Sequence, residues 1–266
     1  MNKKTIVLSL GGSLIVPEKV NPKWLEQFKK VIEKSYNQYK FVVVCGGGFV
    51  AREYITILKY EHKSKKQQSF AGIAATRMNA RLMMQLFGSP ANSELPITMK
   101  EVKNMLVKNK AVFCGALRYA PSQTSDSTAA NLASYLKTDF INITNVSGLY
   151  SSNPLKSKNA KFISKISWQN FEKKARSIKY KPGQHFVLDQ KAAMLIKKHK
   201  IKTYIVGSNL KNLDNLLNNK HFRGTVIAGS KKQCATPCQK LLFLNMSKFR
   251  RISSTVRTRG SEAVKN

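Results

Sequence analysis

The stretch Phe41-Val42-Val43-Val44-Cys45-Gly46-Gly47-Gly48 decides how this chain folds. Its apolar run reads as a buried strand, and the triple glycine reads as a turn that opens a helix. A helix N-terminus approached through glycine exposes backbone N–H groups and makes an anion site. The same arrangement occurs twice more. Ile6-Val7-Leu8-Ser9-Leu10 runs into Gly11-Gly12-Ser13, and Ala111-Val112-Phe113-Cys114 is followed by Thr124-Ser125-Asp126. One such turn says little, because any strand-to-helix connection can use glycine. Three in one chain point to a protein that holds phosphates.

Outward from these turns, strand and helix patterns alternate, which predicts a mostly parallel sheet covered on both faces. Asn21 caps a first helix with Pro22 at its first position, carrying Trp24, Leu25, Phe28, Val31 and Ile32 at helical spacing. Helices are expected over about 50–61, 70–87, 99–108, 125–137, 186–199 and 212–218. Strands are expected over 110–114, 139–144, 202–206 and 224–227, with a mobile polar loop at 62–68, a long turn at 145–154 and a less regular stretch before 186. The composition shifts near Ala228. Residues 228–266 hold four arginines among nine basic residues, against six among 38 in the preceding 227. The expected organisation is therefore one domain over 1–227 and a basic appendage over 228–266, in which Lys240–Met246 has the character of a basic amphipathic segment.

The chain has 266 residues and is 42% hydrophobic, enough for one large α/β domain or two lobes sharing a sheet. No apolar run approaches the roughly 20 residues of a spanning helix. The stretch Thr5 to Leu10 is too short for a signal peptide, and Gly11-Gly12-Ser13 reads as a loop rather than a cleavage site, so a cytoplasmic protein without a membrane is expected. Cys45 and Cys114 fall at the ends of buried strands as small hydrophobes. Cys234 and Cys238 lack the further ligands of a zinc site. The net charge of +34 comes from lysine, 37 against 10 arginines, spread along the chain rather than clustered among aromatics. That favours biased composition over a dedicated nucleic-acid site, with non-specific nucleic-acid binding at low salt expected beside it.

Phosphoryl transfer needs positioning, charge neutralisation and usually Mg²⁺, which takes hard oxygen ligands. The chain has four aspartates, Asp126, Asp139, Asp189 and Asp214. Asp126 stands in the first turn of a helix beside Thr124 and Ser125, where capping alone would also account for it. Asp189 falls in the helical pattern Val187 to Ala193, as a site carboxylate or as part of a solvated face. Arg52, four residues after Gly48, can reach back to a phosphate at the helix start, or be an ordinary surface arginine. Thr76-Arg77-Met78-Asn79-Ala80 is polar within a packed helix and turns toward a cleft or a subunit interface.

Taken together, and in this order, Ser9-Leu10-Gly11-Gly12-Ser13-Leu14, Val44 to Arg52, Gly72 to Ala80, Thr124-Ser125-Asp126, Thr144 to Tyr150 and Leu188 to Ala193 make the chain resemble the archaeal-type uridylate kinases of the amino-acid kinase superfamily over residues 3–227. The resemblance implies a three-layer αβα sandwich whose N-terminal part binds the acceptor and whose C-terminal part binds ATP. It implies Gly11, Gly12, Ser13, Gly48, Arg52, Thr144, Tyr150 and Asn153 at ATP, and Gly47, Ser69, Ser122, Gln123, Thr124 and Ser125 at UMP. Asp189 and Asp126 would be catalytic, with Asp189 the candidate Mg²⁺ ligand. It further implies a cytoplasmic hexamer acting in pyrimidine biosynthesis.

The chain departs from the family pattern at five places. Ser9 stands where many members carry lysine, and Ser69 where an acid contacts the ribose. Ser147 and Asn153 replace two aspartates near ATP, and the loop from Gly115 to Gln123 is about two residues long for the family. Transfer of the ATP γ-phosphate to UMP is the leading expectation. The alternatives are another small phosphate or carboxylate acceptor, and a non-catalytic nucleotide- or RNA-binding protein on the same fold. Isopentenyl phosphate is disfavoured, because no histidine lies near the first two glycine turns.

Overall fold

Nine strands among the described residues carry the fold: β1 (Lys4–Leu10), β2 (Tyr39–Cys45), β3 (Ala111–Cys114), β4 (Phe140–Ile143), β5 (Leu149–Tyr150), β6 (Phe162–Ile163), β7 (Lys165–Ser167), β8 (Thr203–Val206) and β9 (Gly224–Ala228). The helices between them are α1 (Gly12–Ile15), α2 (Pro22–Lys34), α3 (Gly48–Tyr60), α4 (Lys65–Phe87), α5 (Met99–Lys108), α6 (Ser125–Tyr135), α7 (Trp168–Ser177), α8 (Gln190–Lys198) and α9 (Leu210–Leu217). The computed structural model describes residues 3–121, 123–152, 154, 157–177 and 187–229. The basic segment after 229, with Lys240–Met246, Cys234 and Cys238, lies outside the described residues.

Seven strands form one sheet in the order β3-β2-β1-β4-β8-β9-β7. All neighbours are parallel except β8 and β9. The pleat sends alternate side chains to opposite faces. Phe41, Val43 and Cys45 of β2 enter one core with Phe28 of α2, Met83 and Phe87 of α4 and Leu213 of α9. Val42 and Val44 enter the other with Val102 of α5, Leu132 of α6, Phe171 of α7 and Ile196 of α8. A strand buried on both faces is why β2 reads as an unbroken apolar run rather than an alternation. The result is the three-layer sandwich expected, with Cys45 and Cys114 buried and free.

Local chemistry sets the helix ends. The Asn21 side chain accepts the Trp24 N–H and Pro22 takes the first helical position, as read from the sequence. The polar stretch 62–68 is different from its expectation. Ser64 and Gln67 form a reciprocal capping box, so α4 begins at Lys65 and most of the expected loop is helix. The helix expected from 186 begins only at Gln190, because Asp189 caps it. The expected long turn and irregular stretch contain the β5–β6 hairpin, β7 and α7. Thr225 fastens that hairpin to the sheet, accepting the Leu149 N–H at 2.8 Å and donating to the Ile163 carbonyl at 2.6 Å.

Phe28 is fully buried between Trp24, stacked at 5.5 Å, and Phe87, edge-on at 6.1 Å. Phe28→Ala should lower unfolding free energy by about 3–5 kcal/mol, measured by urea denaturation; a loss below about 1 kcal/mol would contradict this packing.

Candidate functional site: a phosphate-binding edge

The order of strands reverses between β1 and β4, with β2 and β3 on one side and β8, β9 and β7 on the other. In open parallel sheets the crevice beyond the carboxyl ends of the strands at such a reversal is where ligands bind. The turns after β1, β2, β3 and β4 all open at that edge, and three of them lead directly into helices.

The first two turns meet backbone to backbone. A Cβ on Gly12 would strike the Gly48 amide nitrogen and come within 2.6 Å of the Gly46 carbonyl carbon. Gly48 has φ +65°, the left-handed region that favours glycine. The Gly46 N–H donates to the Leu10 carbonyl at 2.9 Å, and the Phe49 N–H to the Val16 carbonyl at 3.2 Å. The N-termini of α1 and α3 are thereby held side by side, with Ser13 on α1. Gly11 donates to the Ile143 carbonyl at 3.0 Å across the reversal, next to Thr144.

The loop between β3 and α6 forms another wall, and α4 holds it. The Thr76 hydroxyl accepts the Ala116 N–H at 2.9 Å, and the Arg77 guanidinium donates to the Ala116 carbonyl at 3.1 Å and to the Leu117 carbonyl. Buried Asn79 donates to the Gly46 carbonyl at 2.7 Å, so one helix positions two of the turns. Phe70 at the start of α4 packs on Tyr119 of the loop, their rings 5.4 Å apart. Behind the loop lies a cavity of about 320 Å³, lined by Thr98, Lys100, Leu117, Arg118, Gln123 and Tyr135 among others.

Charge gathers where α6 and α8 begin. The cap of α6 is Thr124, not Asp126, and Asp126 is free to turn toward the sheet. Its carboxylate accepts the hydroxyl of Ser9, 1% exposed on β1, at 2.7 Å. The Asp189 side chain is the cap of α8, accepting the Ala192 N–H at 2.9 Å, and it also accepts the Thr124 hydroxyl. Asp189 is thus no solvated helix face. Burial, reinforced by the charge of Asp189, pushes the Asp126 carboxyl up to about 7, although the Ser9 hydroxyl pulls the other way. The two side chains stand close enough for the charge of Asp189 to act on Asp126. Among the described residues no three His, Cys, Asp or Glu converge.

The remaining expected residues divide. Gly47 packs toward α4, where a Cβ would lie 3.6 Å from the Ala75 Cβ and from the Gly72 carbonyl oxygen. Ser125 opens α6 beside its cap. Arg52 is exposed on α3. The Thr144 hydroxyl donates to the Asn145 side chain at 3.3 Å, and Tyr150 lies edge-on to Phe162 on the β5–β6 hairpin. Gln123 donates to the Thr128 hydroxyl at 3.0 Å, and the Ser69 hydroxyl to the Lys65 carbonyl one turn back in its own helix. Ser122 and Asn153 lie outside the described residues. Sequence reasoning missed the loop-holding roles of Thr76, Arg77 and Asn79 and the contact of Ser9 with Asp126. Only the polar run within a packed helix pointed to the first three.

The chain belongs to the amino acid kinase family, which matches it over residues 4–207. Within that family it is similar to the uridylate kinases. It is 36% identical over 224 residues to the uridylate kinase of Archaeoglobus fulgidus, covering 84% of this chain and 99% of that protein. It is 33% identical to that of Thermococcus sibiricus, covering 84% and 98%. The crystal structure of the A. fulgidus uridylate kinase superposes with a TM-score of 0.74 at 35% identity, over 84% of this chain and 99% of that one.

Two outcomes follow from this geometry. Asp126 has its folded value near 7 against an ordinary 3.8, so between those values the native state holds a proton that the unfolded chain releases. The contribution of Asp126 to the stability of the metal-free protein should therefore be fully present below about pH 4 and be lost as pH rises to about 7. Asp126→Asn should flatten that slope in denaturation series across the range; an unchanged slope would assign it elsewhere. Asn79→Ala should leave the buried Gly46 carbonyl unpaired and cost about 1–3 kcal/mol, with weaker nucleotide binding by calorimetry. Unchanged stability and binding would remove Asn79 from the support of the turn.

Proposed function

We propose that this protein is a UMP kinase, transferring the ATP γ-phosphate to UMP to give UDP and ADP. The observation that carries the reading is the convergence at one sheet edge of the paired glycine turns, the α6 and α8 N-termini and the two carboxylates. Similarity to uridylate kinases over 84% of the chain supports the choice of acceptor.

In this reading the backbone amides at Gly11, Gly12, Ser13 and Gly48, with Arg52, cradle the ATP phosphates. Thr144 and Tyr150 are assigned to its nucleoside, with Asn153 assigned there from the sequence pattern alone. The acceptor is assigned to Gly47, Ser69, Gln123, Thr124 and Ser125, with Ser122 assigned from the sequence pattern alone, and the loop is held from behind by Thr76 and Arg77. A UMP phosphate oxygen attacks the γ-phosphorus in line as the bond to the β-phosphate oxygen breaks. A phosphate dianion is already a nucleophile, so no general base is needed. Asp189 and Asp126 would hold Mg²⁺, which when bound supplies neutralisation of the phosphate charge. Asp189 is fixed for that purpose by the Ala192 N–H and the Thr124 hydroxyl.

The protein is a homo-oligomer in this proposal. Tyr54, Ile57 and Tyr60 of α3 and Phe70, Met78 and Leu82 of α4 are exposed large hydrophobics on two helices that pack together, a face suited to a second copy. The segment 228–266 is an appendage to the kinase domain, in keeping with relatives whose whole length is matched by 224 residues of this chain. No helix among the described residues is long and apolar enough to cross a membrane.

ADP release from Mg·ATP, with UMP, CMP, AMP and dTMP offered separately, tests the function. UMP-dependent turnover should fall by about 10³-fold or more in Asp189→Asn, which keeps a good cap residue and hence α8. Nucleotide binding without turnover on any of these acceptors would defeat the proposal.

A further inference from the structure

We propose that Lys191 is the cation that this site presents to the migrating phosphoryl group. The inference rests on the phosphoryl-transfer reading above and adds a group to it. Transfer of a phosphoryl group spreads negative charge over its equatorial oxygens, and the enzyme answers with positioned positive charge. The two carboxylates at the start of α6 and α8 add negative charge to the site, so a cation placed beside them is needed. Arg118 and Lys100 lie at the cavity behind the β3–α6 loop, whereas Arg52 and Lys191 lie nearer the starts of α3 and α8, and Arg77 of α4 lies against the loop itself.

Arg77 is committed to structure, since its guanidinium donates to the Ala116 and Leu117 carbonyls. Arg52 is exposed on α3. Lys191 is half-buried in the first turn of α8, two residues after the Asp189 cap. Its ammonium donates to the Pro121 carbonyl at 2.9 Å. That carbonyl is neutral and uses one of three ammonium protons, and among the described residues Lys191 forms no ion pair with a carboxylate. From one helical turn, therefore, the Asp189 carboxylate reaches Thr124 and the Lys191 ammonium reaches Pro121, both at the end of the β3–α6 loop. A positive and a negative group from the ATP-binding half thus bracket the end of the acceptor loop.

The position is unfavourable for the helix itself. A lysine in the first turn faces the positive end of the helix dipole, where acids are preferred. A local rule broken beside a site carboxylate, without a compensating ion pair among the described residues, is the pattern expected of a functional charge. An uncharged donor could hold Pro121 equally well, so the charge of Lys191 is free to serve the anionic substrate.

The test compares Lys191→Gln, which keeps a hydrogen-bond donor for Pro121 without charge, with Lys191→Arg, which keeps the charge. In the full chain with Mg·ATP and UMP, Lys191→Gln should lower kcat by about 10²-fold with both KM values little changed, and Lys191→Arg should recover a large part of it. A Lys191→Gln enzyme with the parental kcat, or one altered only in the KM for UMP, overturns the proposal, since Lys191 would then only position the loop. Failure of the parental enzyme to phosphorylate UMP would instead remove the uridylate reading. Lys191 is then judged at equilibrium, by how far fluoroaluminate tightens binding of Mg·ADP. Tightening in the parental protein that disappears in Lys191→Gln supports it, and equal tightening in both, or none in either, overturns it.

Discussion

The backbone contact between Gly12 and Gly46–Gly48 is the constraint on which the rest of this structure depends. β1 and β2 pair in parallel along their whole length, which brings the turns that leave them to the same height. Only residues without a Cβ can then pass one another, since a single added carbon at Gly12 would overlap the amide of Gly48. The consequence is two helix N-termini aimed at one place. Neither α1, a single turn, nor α3 alone would make an anion site of much strength; held together they concentrate unpaired N–H groups on one spot.

The same edge carries carboxylates. Ser9 projects from β1, the strand that also delivers the first glycine turn, and grips Asp126 at the start of α6. Asp189 caps α8 and is tied to α6 through Thr124. The amides of the glycine turns and the two carboxylates are thus referred to one central strand, so that movement of β1 would disturb both. The ion pair of Glu172 with Lys197 ties α7 to α8, the helix that presents Asp189, while the pair of Glu172 with Arg176 lies within α7.

Much of this was readable from residue order. The apolar runs of β1 to β4, the glycine turns, the Asn21–Pro22 helix start and the alternation of strand and helix are local patterns, and each survives in the fold. The errors cluster where local signal is ambiguous. The stretch 62–68 is polar enough for a loop, yet a capping box between Ser64 and Gln67 makes it the start of α4. The short strands β5, β6 and β7 have two or three residues each and no periodicity to detect. Asp126 resembles a cap by its place next to Thr124, and a contact with Ser9 more than a hundred residues away gives it another task.

The sequence by itself determined the class of fold, the glycine turns and the acids available to the candidate site, because strand burial, glycine turns and helix starts are written within a few consecutive residues. Only the tertiary structure decided which of those residues share a face. That Ser9 meets Asp126, that Asp189 serves both α8 and Thr124, that Thr76 and Arg77 support the acceptor loop and that Lys191 reaches Pro121 all follow from strand order and helix packing. Those arrangements bring together side chains far apart in the chain, and no spacing along it encodes their distance.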